Sequence, residues 1–330
     1  MSMTKPVYSP PPHLKAEETV SHAMRDVFIA LLPVCAVAIY FYHLYALFTF
    51  AVCLVTAAIT EVLFRYARGK KASLGDWSAL VTGLLVALLF QATVNWWAAA
   101  LATFIAVGIA KELMGGLGWN RLNPALFGRV FVFLFPGLFA WLNTSMAGLQ
   151  PNLGNVDIVT QATPLAMMHQ GMDIPGVLSG FVALEGGAMG EVSPLALLLG
   201  GIYLIYKQHI NWKVPAIIIG VVLVLSLILY PVTGINPLYQ IFAGGIFIGA
   251  FFMATDWVTS PITEKGKIIF AVCIGILIVV FRGIGPVEGV AFAILIMNAF
   301  VPLIEKWTKR PSFSEPRPAS AASGKGSVAG

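Results

Sequence analysis

Val156-Asp157-Ile158-Val159-Thr160-Gln161-Ala162-Thr163-Pro164-Leu165 lies in a polar loop, residues 143–193, that cuts an otherwise apolar chain in two. Five apolar runs precede the loop, at about 26–43, 46–63, 77–94, 96–112 and 124–142. Five follow it, at about 193–207, 213–231, 238–255, 267–282 and 286–304. Most have lengths suited to a hydrocarbon core ~30 Å thick, the shorter ones to tilted or broken helices. An odd number in each half makes the two halves enter the membrane from opposite sides, the arrangement of an inverted repeat. The pattern predicts an all-α polytopic membrane protein with about ten transmembrane helices, arranged as two inverted five-helix repeats. Leu122-Asn123-Pro124 and Ile235-Asn236-Pro237 form a faint echo between the halves. The chain then divides into a polar cytoplasmic segment 1–24, a first repeat 25–142, the loop 143–192, a second repeat 193–305 and a tail 306–330. The Ser, Ala, Gly and Pro of that tail predict disorder.

Within the loop, Thr163-Pro164 reads as an N-cap followed by proline at the first helical position, opening a turn through Leu165-Ala166-Met167-Met168. A helix N-terminus attracts phosphate through its free N–H groups and the positive end of its dipole. A phosphate on the Thr163 hydroxyl would therefore lie where the backbone favours negative charge. The plainer reading of the same residues is a cap and nothing more.

Hydrophobic residues make up 58% of the chain and charged ones 11%, with a mean hydropathy of +0.85. Soluble domains carry about 25% charged residues, so that class is excluded. The polar, proline-rich start is not a signal peptide. The net charge of +5 carries no nucleic-acid signature, because the basic residues flank apolar runs. With the N-terminus in the cytoplasm, the inside segments hold Lys5, Lys15, Arg25, Arg65, Arg68, Lys70, Lys71, Lys111, Arg121, Arg129, Lys207, Lys213, Lys265 and Lys267. The tail adds Lys306, Lys309, Arg310, Arg317 and Lys325, which leaves Arg282 alone outside. This charge bias puts both termini inside and the Thr163 loop outside. Tryptophans at the ends of the runs form the aromatic belts of the two interfaces. Cys35, Cys53 and Cys273 are isolated, too few for an iron–sulfur cluster held by this chain alone. The five histidines are scattered; His43 and His169 read as ordinary polar or interfacial residues.

Three ordered stretches carry a family resemblance. The first is the Asp157, Thr160, Ala162, Thr163, Pro164, Leu165 pattern. The second is Lys111-Glu112-Leu113-Met114-Gly115-Gly116, continuing through Asn120-Arg121-Leu122-Asn123-Pro124-Ala125. The third is Phe252-Met253-Ala254-Thr255-Asp256 followed by Thr259-Ser260-Pro261. Together they resemble the family containing the RnfD component of Rnf complexes and the NqrB component of sodium-pumping NADH:quinone reductases. The likeness runs from Ser9-Pro10 and His13 to about Trp307.

The resemblance implies FMN bound through a phosphoester to Thr163 and attached by a dedicated flavin transferase, with Asp157 and Thr160 as motif members. Asp157 either assists that attachment or caps the loop through an Asx-turn. It also implies two five-helix repeats comparable to urea transporters. The short N-terminus and Thr160-Gln161 favour the Rnf branch, although Gln161 stands where the family usually has a small residue. That branch implies a flavoprotein component of an ion-translocating ferredoxin:NAD oxidoreductase in a bacterial inner membrane. It would work with the other components of the Rnf complex (RnfA, RnfB, RnfC, RnfE and RnfG), in contact with membrane lipid and with no nucleic acid. The NqrB component of the sodium pump, and a redox-inactive channel or transporter of the inverted-repeat type, are the alternative readings.

Outside the loop, Gly115 and Gly116 permit close backbone approach, and Asn120 and Asn123 offer amide donors and acceptors to a heterocycle. Resemblance to the quinone-reducing relatives implies a non-covalent riboflavin near them. A helix C-cap with ordinary capping amides explains the same residues. Asp256 and Glu112 are candidates for ion coupling, with Glu61 and Glu288 beside them, since charges in membrane spans tend to be functional. By position, each reads first as a solvated interfacial anchor. Arg282 is left to pair with Glu288 or with a flavin phosphate.

Overall fold

The computed structural model describes residues 19–69, 74–135, 181–182, 187–233, 236–242, 245–284 and 289–309. Thr163, Asp157, Thr160 and Glu288 lie outside the described residues. Helix α1 (Val20–Ala67) starts ahead of the apolar run at 26, because Thr19 accepts from the His22 N–H at 3.3 Å and caps it. Its 48 residues would reach ~72 Å if straight. His43, at φ 50° and ψ −128°, breaks it into two arms. Both arms end on one side: Ser21 donates to the Gly75 carbonyl at 2.6 Å, and Arg65 pairs with Asp76 at 2.8 Å. The arms are the first two expected spans.

The first half continues with α2 (Ser78–Leu89) and α3 (Trp96–Phe104). The latter runs on as the π-helix Ile105–Leu113, and α4 (Pro124–Leu134) follows. The second half opens with the 3₁₀ turn Met189–Glu191, then α5 (Pro194–Tyr206), α6 (Lys213–Thr233) and α7 (Pro237–Phe242). Helix α8 (Ile246–Ile248) runs into the π turns Gly249–Met253, ahead of α9 (Glu264–Ile284) and α10 (Gly289–Thr308). Among the described residues all regular structure is helical.

Two expected spans are not continuous crossings. The run 77–94 is a helix of 12 residues, ~18 Å long. It stops because Phe90 turns extended and its carbonyl accepts from the Met189 N–H at 2.9 Å, in the other half of the chain. The run 238–255 is interrupted at Gly245, whose φ of 70° suits a residue without Cβ. Non-helical backbone at membrane depth is tolerated where protein buries it.

One end of the bundle collects the loops rich in lysine and arginine. There Lys111 meets Ser78, Asn211 and Lys213 meet Glu264, the Ile262 N–H donates to Glu305, and Thr263 meets Thr308. We call it the basic end. Arg282, in the last turn of α9, lies toward the other end, where it donates to the Gln240 carbonyl and to Gln240 Oε1 at 3.1 Å. Gln240, on α7, is thus one of its partners among the described residues, and the expected pairing with Glu288 falls outside them. Arg129 departs from the expected inside group: it lies along α4 with its guanidinium over the Phe90 ring, 4.6 Å from the centroid.

Matching elements in the two halves run in opposite directions. The first arm of α1 leaves the basic end and α5 returns to it; α4 leaves it and α10 returns. These pairs also meet across the halves. A Cβ on Gly200 would sit 2.1 Å from the Ala30 carbonyl oxygen, so α1 and α5 pack backbone to backbone. Phe133 on α4 meets Phe292 on α10 edge-on at 5.9 Å. The outer faces are apolar, with Leu47, Val55 and Ile59 on α1 and Val224, Leu227 and Ile228 on α6 all exposed. Such faces suit lipid rather than water.

Candidate functional site

The basic end is built around buried charge. Glu61, Arg65 and Arg68 share one face of the last turns of α1, at helical spacing. Asp76 starts α2 by accepting from the Ser78 N–H at 3.1 Å and its hydroxyl at 2.8 Å. Wide π turns at the end of α3 bring both Lys111 and its neighbour Glu112 into the same network. Lys111 Nζ lies 2.6 Å from Ser78 Oγ and 3.3 Å from Glu61 Oε2. Arg65 lies 2.5 Å from Glu61, 2.8 Å from Asp76 and 3.5 Å from Glu112, and Arg68 is 3.6 Å from Glu112. Burial alone would raise the Asp76 carboxyl. Hydrogen bonds from Ser78 and Arg65, with the Lys111 charge, outweigh it and hold the group below its ordinary range.

This arrangement corrects the reading of Glu61 and Glu112 as solvated anchors. Their exposures are 0% and 1%, because the arginines of α1 and the π turns of α3 enclose them. Glu112 engages two arginines here, and Glu61 engages Arg65 and Lys111.

Beside this network a small cavity of about 90 Å³ opens between the halves. That is well below the ~300–1,000 Å³ of small-molecule sites. Asn120, Asn123, Ser78 and Lys111 line it from the first half, and His209, Thr255 and Asp256 from the second. Asn123 accepts from the Ala125 and Leu126 N–H groups at 3.1 and 3.3 Å, so it caps α4 ahead of Pro124. The Asn120 amide donates to the Leu122 carbonyl at 3.4 Å, while its Oδ1 is buried without a hydrogen-bond partner among the described residues. Asp256 accepts from Thr259 Oγ1 at 3.0 Å and from the Val258 N–H at 3.4 Å. Burial nonetheless pushes its carboxyl above the ordinary range.

Gly115 and Gly116 stand apart from the cavity wall. With φ of 130° and 99° they close the π-helix, their N–H groups donating to the Glu112 and Lys111 carbonyls at 3.1 and 3.0 Å. A Cβ on Gly115 would meet Trp119 at 2.7 Å. Their geometry is that of a helix-ending turn.

The sequence reading missed two features. Asn298 on α10 is 1% exposed. With its amide oriented to satisfy its neighbours, it donates to the Thr259 and Ile294 carbonyls at 3.1 and 3.2 Å and accepts from the Asn123 N–H at 3.1 Å. It therefore ties the cavity segments of both halves together. The other is a buried pair, Asp26 of α1 with His209, whose Nε2 lies 2.9 Å from Asp26 Oδ2. An acidic residue at the start of an apolar run was the available signal for Asp26. Nothing local marks Asn298 or His209.

A model of the NQR2, RnfD, RnfE family matches residues 7–314. The chain belongs to this family. Among its members, the RnfD-type component of the Na(+)-translocating ferredoxin:NAD(+) oxidoreductase complex of Acetobacterium woodii is 40% identical over 304 residues, spanning 90% of this chain and 92% of the relative. Its counterpart in the proton-translocating ferredoxin:NAD(+) oxidoreductase complex of Clostridium ljungdahlii is 39% identical over 322 residues, spanning 93% and 95%. The counterpart in the ion-translocating oxidoreductase complex of Halorhodospira halophila is 34% identical, spanning 90% and 92%. In this member of the NQR2, RnfD, RnfE family, the second and third resembling stretches converge on one cavity at the basic end.

Proposed function

We propose that this chain is the RnfD membrane component of an Rnf-type ion-translocating ferredoxin:NAD oxidoreductase complex, and that it carries FMN through a phosphoester on Thr163. The observation that carries the reading is the family match along residues 7–314, joined to RnfD-type relatives that align over nine-tenths of the chain. On this reading the chain sits in the bacterial inner membrane with the basic end and both termini in the cytoplasm. The Thr163 loop faces the periplasm, where a flavin transferase loads it. Its partners are RnfA, RnfB, RnfC, RnfE and RnfG. Named relatives of nearly equal identity differ in their ion, sodium in one and protons in the other, so the coupling ion does not follow from membership.

On the same reading a non-covalent riboflavin would enter the cavity at the basic end, which at about 90 Å³ must widen between the halves to admit it. Asn120 presents a buried oxygen in need of a donor, which the N–H of a flat heterocycle supplies, and Asp256 and Lys111 offer charge of both signs. A flavin there would supply one- and two-electron chemistry, while Asn120, Asn123 and Asp256 would hold and orient it. Glu112, held by Arg65 and Arg68, would tie the π turns of α3 to the end of α1.

The test of the covalent flavin is in-gel fluorescence after denaturing electrophoresis. Wild type and Thr163→Ala would each be co-expressed with the flavin transferase. A fluorescent band in the wild type that is missing from the variant is the expected result. A dark wild-type band would return Thr163 to a helix cap and favour a redox-inactive transporter.

A further inference from the structure

His209 stands in the turn between α5 and α6, 4% exposed, against Asp26, which is 7% exposed. Tyr203 donates to the other Asp26 oxygen at 3.2 Å, and Lys207 Nζ lies 4.0 Å from the carboxylate. The Trp257 indole N–H donates to the His209 carbonyl, and the two rings are 6.0 Å apart. The histidine helps wall two spaces at once. One is the cavity of Asn120 and Asp256. The other is a groove at the basic end lined by Gln208, Asn211, Ser260 and Lys267.

A carboxylate that accepts from Nε2–H fixes the imidazole tautomer and leaves Nδ1 as the basic nitrogen. The same carboxylate balances the imidazolium when a proton binds. Two residues 183 positions apart, one from each half, thus form an acid–base pair in the wall between an open groove and the cavity that Asp256 lines. We propose that Asp26 and His209 are a proton-transfer pair that moves protons between the basic-end groove and the cavity containing Asp256. In the step, His209 Nδ1 takes a proton from groove water while Asp26 stays ionised. The proton then leaves Nδ1 for the Asp256 carboxylate, through cavity water. Only N–H and O–H bonds form and break, and no electron moves at the pair.

The charged and titratable groups facing the ring are Asp26 from α1, Tyr203 and Lys207 from α5, and Asp256 from the segment after α8. Lys267 of α9 faces it across the groove, itself paired with Glu264 at 3.1 Å. The titration of the pair is independent of the electron-transfer reading; only the use made of the proton rests on it.

The first test uses the purified full chain in detergent. The Trp257 fluorescence, isolated as the difference between wild type and Trp257→Phe, would be followed against pH. One pH-dependent step is expected in the wild type. It should vanish in His209→Gln and move to lower pH in Asp26→Asn, which keeps the hydrogen bond and loses the charge. A step that persists in His209→Gln, or no step in the wild type, overturns the proposal.

The second test uses the complete complex in vesicles. His209→Gln should slow electron transfer by about 10²-fold, the low end for acid–base assistance, with a flattened pH profile. A uniform loss at every pH would make the pair a structural tie and overturn the proposal, as would an unchanged profile. A wild-type complex without electron transfer would instead sink the function reading and leave the fluorescence titration as the judge of the pair.

Discussion

Lys111 is 1% exposed, and Glu61 and Ser78 meet its ammonium group. Removing one partner of a buried pair costs ~3–5 kcal/mol, since the other charge is left in low dielectric. Arg65 stays against Glu61, so Lys111→Met should fall near the lower figure, ~3 kcal/mol, read as a lowered denaturant midpoint in detergent. Asp76 supplies the pH dependence of the same network. Its folded carboxyl is held below the ordinary range, so it contributes stability above that range and loses it as pH falls through the depressed value. Unfolding midpoints of Asp76→Asn should therefore vary less with pH than wild type below about pH 4. A parallel decline in both would remove Asp76 from the account. Lys111 and Glu112 were legible as motif members, but their partners were not. Glu61 lies 50 positions from Lys111 and Ser78 lies 33, distances at which no spacing rule operates.

Helix starts were the most legible elements, because capping is local chemistry. Asn123-Pro124, Ser193-Pro194 and Asn236-Pro237 each place a polar side chain over the first turn with proline at the first helical position. Asn123 accepts from Ala125 and Leu126, Ser193 from Ala196, and Asn236 from Leu238. The repeated Asn-Pro pair is thus a shared starting device, used once near the basic end and once away from it. Helix interruptions were not legible. An apolar run looks the same whether it crosses or stops, and α2 stops because a backbone N–H from the other half takes the Phe90 carbonyl. The π turns of α3 are equally silent in the sequence. Close approach of elements gives a sharp prediction at Gly200. A Cβ there would lie 2.1 Å from the Ala30 carbonyl, which is backbone and cannot swing away, so α1 and α5 must separate. Gly200→Ala should cost ~1–3 kcal/mol or more by overpacking, while Gly220→Ala, with open space around it, should be neutral or slightly stabilising. Equal unfolding midpoints for the two variants would contradict the packing of α1 on α5.

At the scale of the molecule, the proposed sidedness rests on one physical bias, the retention of Lys and Arg on the cytoplasmic face. The structure gathers the loops around Arg65, Lys111, Lys207 and Lys267 at a single end, so their orientation is a common one. The inverted run of the halves was readable from the odd number of spans, whereas their joint cavity was not, since it needs Asn120 and Asp256 brought together from opposite halves. The orientation can be read directly by labelling. Cys35 and Cys53 are buried and Cys273 is half-buried, so all three would first be replaced by alanine. Tyr206, 82% exposed at the basic end of α5, and Asn155, in the loop before Thr163, would each be changed to cysteine. A membrane-impermeant maleimide should label Asn155→Cys in intact spheroplasts and reach Tyr206→Cys only after the membrane is opened. The reverse pattern would put the basic end outside against the charge bias, and would leave a flavin on Thr163 facing the cytoplasm, where electrons need not cross the bilayer to reach it.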